Sequence, residues 1–177
     1  MNRFLSFALA AALCAPAFAQ KMGSTNANAP SLKQTIMAGD AKMSLDYTSI
    51  TWADGKTMQR LADKENGGRT RERVNATAAS APLGSFTTNV DVTCGDLKLP
   101  AGEYQVYFTI GDDLQWSLNF KAGDKVMTMK LNLSDSEHES KRLLMCLYAE
   151  ENGAGVYLSF GKHSGMLSFA VAKKDGK

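Results

Sequence analysis

The sequence predicts an all-β fold, an antiparallel β-sandwich of meander or jelly-roll type with at most one short helix. Two observations predict it: from Phe86 onward large apolar residues fall at every second position, and turn residues recur at regular intervals between those runs. Many short strands, each apolar on one face, bury those faces by packing sheet against sheet. The length agrees, since removing a 19-residue leader from 177 residues leaves 158, enough for one domain with a core of its own.

The leader is read from the first residues. One cation, Arg3, is followed by an apolar run over residues 4–15 broken only by Ser6, and then by Ala17-Phe18-Ala19. A basic start, an apolar stretch and a small-x-small close make a secretory signal peptide, with cleavage expected between Ala19 and Gln20. A spanning helix needs roughly 20 apolar residues, and this run is shorter and stops at Pro16. Lipid attachment at Cys14 calls for a small residue just before it, where the chain has Leu13. The expected location is the periplasm or the extracellular space, with no stable membrane insertion. The expected division is 1–19 signal peptide, 20–40 flexible leader and 41–173 a single β-sandwich domain. Residues 20–31 are almost all small or polar and offer too little apolar surface to offset ordering entropy.

Clipping the leader removes one of 20 Lys+Arg and none of 18 Asp+Glu, leaving a formal charge of +1. So small a charge gives no general attraction to nucleic acid or an anionic membrane, and any anion site has to be local. Cys94 and Cys146 remain in an oxidising compartment, where either a disulfide between them or two separately buried thiols is chemically permitted. No paired cysteine spacing suggests zinc, and no metal or cofactor is expected.

Along the domain, Met43, Leu45 and Tyr47 alternate with polar residues and predict a strand, which Ile50 and Trp52 extend after a bend. Met58, Leu61 and Ala62 predict a short helix over 56–64, with Asp54 as a cap. Glu65-Asn66-Gly67-Gly68 interrupts the chain, and residues 69–82 are polar, alanine-rich and weakly patterned, which predicts a long loop or irregular edge. Strands then follow through Val90, Val92 and Cys94; Leu97 and Leu99; Tyr104, Val106, Phe108 and Ile110; Trp116, Leu118 and Phe120; and Met127 to Leu133. Residues 143–148 are apolar on both faces and predict a central strand covered on both sides. Asn152-Gly153 opens one hairpin and residues 161–165 another.

The run over residues 86–104, with the threonine pair Thr87-Thr88, Gly95 and Leu99-Pro100-Ala101-Gly102-Glu103-Tyr104, followed by Trp116 to Lys121, resembles the bacterial family called domain of unknown function 2911. Members carry an upstream tryptophan-arginine, glycine-alanine-asparagine and alanine-threonine. The nearest match here, Arg71-Glu72-Arg73-Val74-Asn75-Ala76-Thr77, lacks the tryptophan and the glycine. The resemblance implies an exported β-rich domain and no assigned activity.

Several candidate sites follow. In an extended segment Arg69, Arg71 and Arg73 would project from one side and grip a carboxylate or phosphate, with Asn75 beside them; the same arginines would equally serve as charges guarding an edge. His138 lies between Glu137 and Glu139, and His163 sits in Gly161-Lys162-His163-Ser164-Gly165, whose serine comes one place too late for a nucleophile elbow. Asp112, Asp113 and Asp124 would form a calcium site only if their turns met. Trp52, Trp116, Tyr107 and Tyr157 would make an aromatic platform for a sugar.

With no recognisable nucleophile, base and orienting acid, the expected function is non-enzymatic. The chain reads as an exported binding domain for a small anionic ligand or an envelope partner, acting through Arg69, Arg71, Arg73 and Asn75. A periplasmic hydrolase or lyase using His138 or His163, and a structural or assembly domain using an open sheet edge, are the alternatives.

Overall fold

The computed structural model of the chain describes residues 28–52 and 55–172. The expected signal peptide, the first part of the expected leader and the Asp54 cap lie outside the described residues. Ten strands and two helices follow in the order β1 (Ser31–Ala38), β2 (Ala41–Thr48), α1 (Lys56–Ala62), α2 (Gly68–Ser80), β3 (Gly84–Thr88), β4 (Val92–Cys94), β5 (Leu97–Leu99), β6 (Gly102–Ile110), β7 (Trp116–Ala122), β8 (Lys125–Lys130), β9 (Ser134–Glu150) and β10 (Gly153–Val171). They make two antiparallel sheets, β1-β2-β3-β6-β7-β8 and β5-β4-β10-β9, packed as an all-β sandwich. Among the described residues no helix is long and apolar enough to cross a membrane.

Period-two alternation builds the core. Met43, Leu45, Phe86, Val106, Leu118 and Phe120 of the first sheet meet Val92, Leu143, Met145, Val156, Leu167 and Phe169 of the second. Phe86 stacks on Phe169 at 4.8 Å between ring centroids, and Phe120 meets Phe169 edge-on at 6.0 Å. The run that carries the family resemblance is tied locally. The Tyr104 hydroxyl donates to Pro100 O, Asp91 Oδ1 accepts the Ala101 N–H at 2.8 Å, and Thr88 Oγ1 donates to Val90 O at 2.7 Å.

β10 is 19 residues long but not straight. The Val171 N–H donates to Asn152 O at 2.8 Å, whereas an extended run of that length would span about 60 Å. The chain therefore reverses after Ser159, where pairing with β9 slips register and Gly161 has φ +61°. This agrees with the hairpin expected at residues 161–165.

Three expectations are corrected. Residues 31–38 are not flexible leader but strand β1, paired with β2 along its whole length. Residues 68–80 are not a loop but the 13-residue helix α2, so the fold has two helices rather than at most one. The inward stripe of α2, Arg71, Val74, Asn75 and Ala78, has helical spacing, but two of its four members are polar and hydrophobic periodicity passes over them.

β9 is not central either: it borders the second sheet, and its outward residues Leu144 and Cys146 are exposed. What replaces a neighbouring strand is a row of hydrogen bonds from the first sheet and the segment after β2. The Trp52 N–H donates to Lys141 O and the Leu143 N–H to Ile50 O, both at 2.8 Å. Ser49 Oγ donates to Leu143 O at 2.8 Å, and Tyr47 Oη accepts the Met145 N–H at 2.9 Å. The Gln34 side-chain amide then donates to Met145 O and accepts the Leu147 N–H, both at 2.7 Å, taking the place of a peptide group.

Candidate functional site at one end of the sandwich

The arginines do not converge. On a helix, residues two apart face away from each other, and Arg71 points inward at 2% exposure while Arg69 and Arg73 stay exposed one turn apart. Arg71 Nη1 donates to Asp63 O at 2.7 Å and Leu61 O at 3.2 Å, Nη2 to Lys64 O at 3.3 Å, and Nε to Asp112 Oδ1 at 3.2 Å. It caps the carbonyls that end α1 and ties both helices to the β6–β7 loop. Gly67 makes room for it, since a Cβ there would fall 2.5 Å from Arg71 Nη1. Asn75 donates to Ile110 O at 2.9 Å and accepts the Ile110 N–H at 3.0 Å, pinning α2 to the end of β6. Two of the four residues expected to hold a ligand therefore hold the helix.

Cys94 and Cys146 are free, so of the two arrangements left open by the sequence the thiols are separate, though only Cys94 is buried and Cys146 is exposed. Both lie in the second sheet, but Cys94 faces the core from β4, Cys146 faces outward from β9, and β10 runs between them. Burial pushes the Cys94 thiol above its ordinary pKa. The aspartates do not meet either. Asp112 and Asp113 precede β7 and Asp124 follows it, so a seven-residue strand, roughly 20 Å, separates them. Among the described residues no group of three or more His, Cys, Asp or Glu is placed to hold a metal ion.

His138 is exposed on β9. His163 lies 3.6 Å from Asp135 through Nδ1, with its ring 5.8 Å from that of Trp52. Among the described residues, neither imidazole is hydrogen-bonded to a serine or cysteine side chain. Tyr107 is 5% exposed on the strand against which α2 packs, and burial raises its pKa. Tyr157 stands beside Cys146 on the outer face of the other sheet. The four-ring platform is thereby reduced to two rings.

Those two do converge. Trp52 and Trp116 line one narrow apolar slot between the sheets together with Phe108, Phe160, Leu133 and His163. Trp52 lies over the backbone of Gly161, where a Cβ would fall 2.5 Å from the indole, and meets Phe160 edge-on at 4.9 Å. Only glycine serves there, because φ is +61° and the indole occupies the space of a side chain. Trp116 meets Phe108 edge-on at 6.2 Å.

Beside this slot, and sharing Trp116, Leu131 and Leu133 with it, an open groove of about 330 Å³ is lined by Asp113, Leu114, Gln115 and Asn132. Gln115 Nε2 donates to Trp116 O at 2.9 Å and Leu131 O at 2.8 Å, bracing the groove floor across β7 and β8. Asp113 Oδ1 accepts the Gln115 N–H at 3.1 Å. Leu114 is the one non-glycine residue with positive φ, +65°, among the described residues. A branched side chain held there stores strain of roughly 1–2 kcal/mol, of the kind that gathers at binding sites.

Of the slot and the groove beside it, sequence reading finds Trp52, His163 and Trp116 in the first and Asp113 in the second, but misses Phe160 in the first and Gln115 and Asn132 in the second. An amide in a turn and a phenylalanine in a strand carry no signal of their own until the fold brings them to one end. Searches of family models, of curated proteins and of solved structures find no match to this chain.

Proposed function

We propose that this chain is an exported, non-catalytic binding domain whose ligand is small and hydroxylated, of the sugar type. The location rests on the composition of residues 1–19, and kinship with the domain of unknown function 2911 family rests on the run over residues 86–104. The observation that carries the ligand class is Trp116, whose indole is shared between the packed apolar slot under Trp52 and an open groove of one carboxylate and two side-chain amides. A sugar ring offers apolar C–H faces to an indole and hydroxyls to Asp113, Gln115 and Asn132, and few other small molecules present both. The anion-binding reading moves with the site. With Arg71 occupied internally, Arg69 and Arg73 are the arginines of the row left exposed to meet an acidic group.

The test uses the chain's own fluorescence, since Trp52 and Trp116 are its only two tryptophans. Titration with neutral sugars and sugar acids is expected to give a saturable emission change that Asn132→Ala weakens by about tenfold, the loss of one or two polar contacts. Joint replacement of Arg69 and Arg73 by Gln weakens only the acids. Emission indifferent to every sugar would remove the proposal.

A further inference from the structure

The outward face of β9 carries Arg142, Leu144, Cys146, Tyr148 and Glu150 at every second position, because Leu143, Met145 and Leu147 between them are buried; Arg142 also donates from Nη1 to Ser49 O at 3.1 Å, and Glu150 Oε2 accepts from Ser168 Oγ. Leu144 is 41% exposed, and Met166, whose sulfur lies 3.8 Å from the Tyr148 hydroxyl, is 69% exposed. Gly155 is the ladder partner of Tyr148, and a Cβ there would fall 2.1 Å from the ring. The tyrosine thus lies over bare backbone, which keeps the face low enough for another sheet to approach.

We infer that two copies of the chain meet on this face, sheet on sheet, about a two-fold axis crossing β9 at Cys146. The order of chemistry along β9 selects a second copy as occupant. It reads cation, apolar, thiol, aromatic, anion, and such a row complements itself only when reversed. A two-fold across the strand performs that reversal, setting Arg142 against Glu150 of the second copy, Leu144 against Tyr148, and Cys146 against its equivalent. A partner of uniform charge would be attracted at one end of the row and repelled at the other. Packed sheets lie about 10 Å apart, too far for a direct disulfide, which needs Cα atoms within roughly 7 Å. The two Cys146 thiols therefore stay reduced and face each other across the axis, where a short bis-maleimide reaches both by adding each thiol across one of its double bonds.

Sedimentation equilibrium of the protein purified from full-chain expression is expected to give a dimer mass at tens of micromolar. Leu144→Lys and Met166→Lys, both at exposed positions, return the monomer with an unchanged circular dichroism spectrum. Arg142→Glu and Glu150→Arg each weaken association about tenfold, in the range of a single interfacial ion pair, and together restore most of it. The bis-maleimide links two chains of the original protein and not of Cys146→Ser. A monomer at every concentration, a dimer that both lysine variants leave intact, or a charge swap without recovery would each overturn the inference.

Discussion

Arg71 shows how one side chain changes the meaning of a motif. Read as a row, Arg69, Arg71 and Arg73 look like three equivalent cations, but helical geometry gives them two unrelated tasks. Arg71 is 2% exposed and satisfies three backbone carbonyls as well as Asp112, whose own carboxylate is 90% exposed. The ion pair itself is screened by solvent and contributes little; the cost of losing Arg71 comes from the Leu61 and Lys64 carbonyls left without donors, while Asp63 O keeps the Gly67 N–H, and from the space the side chain vacates between the helices. Arg71→Ala is therefore expected to destabilise the fold by about 2–4 kcal/mol, while Arg69→Gln and Arg73→Gln stay within roughly 0.5 kcal/mol. Urea unfolding of the three variants checks this, and equal midpoints for all three would contradict the assignment. The sequence discloses the residue types but not which arginine turns inward, because that depends on Leu61, Asp63 and Lys64 presenting their carbonyls at the corner between two helices.

The elements that sequence patterning finds are those whose inward faces are made of large apolar residues alone. β2, β6 and β7 are of this kind, with Met43, Leu45 and Tyr47, with Tyr104 and Val106, and with Leu118 and Phe120. β1 escapes because its inward row is Leu32, Gln34, Ile36 and Ala38, with a polar residue at its middle. Gln34 is inward because β9 has unpaired backbone groups there, a requirement no local window of sequence contains. Its removal tests the seal between the sheets. Gln34→Ala leaves Met145 O and the Leu147 N–H without partners and is expected to cost about 2 kcal/mol, within the usual 1–3 kcal/mol per unsatisfied buried group. Gln34→Glu keeps an acceptor for Leu147 but sets a carboxylate against Met145 O, so it recovers less than half of that loss. Hydrogen exchange gives the sharper reading: amide protection at Leu147 falls in both variants while protection in β6 and β7 holds. Equal loss everywhere would mean that β1 acts through the global core and not through this edge.

The whole sandwich has a weakness that follows from where its titratable groups sit. Tyr47 and Cys94 belong to the layer between the sheets, and burial raises the pKa of both, for Tyr47 against a smaller opposing effect of the Met145 N–H that its oxygen accepts. The unfolded chain ionises its thiols from about pH 8.5 and its tyrosines from about pH 10, while the folded chain keeps these two groups protonated to higher pH. Between those limits the unfolded state binds fewer protons than the native one, so stability is fully present below about pH 8.5 and falls as pH rises. Because both groups face the shared core, the loss is expected to be cooperative, with sheet content and tryptophan emission disappearing together instead of one edge fraying first. Urea midpoints taken from pH 7 to pH 11 should be level at the start, decline from about pH 8.5 to 9, and steepen beyond pH 10. Cys94→Ala removes the early part of the decline. Tyr47→Phe starts lower, since the Met145 N–H loses its acceptor, yet declines less steeply above pH 10. A midpoint that stays level through pH 11 would show that the space between the sheets admits the ionised groups, and with them water.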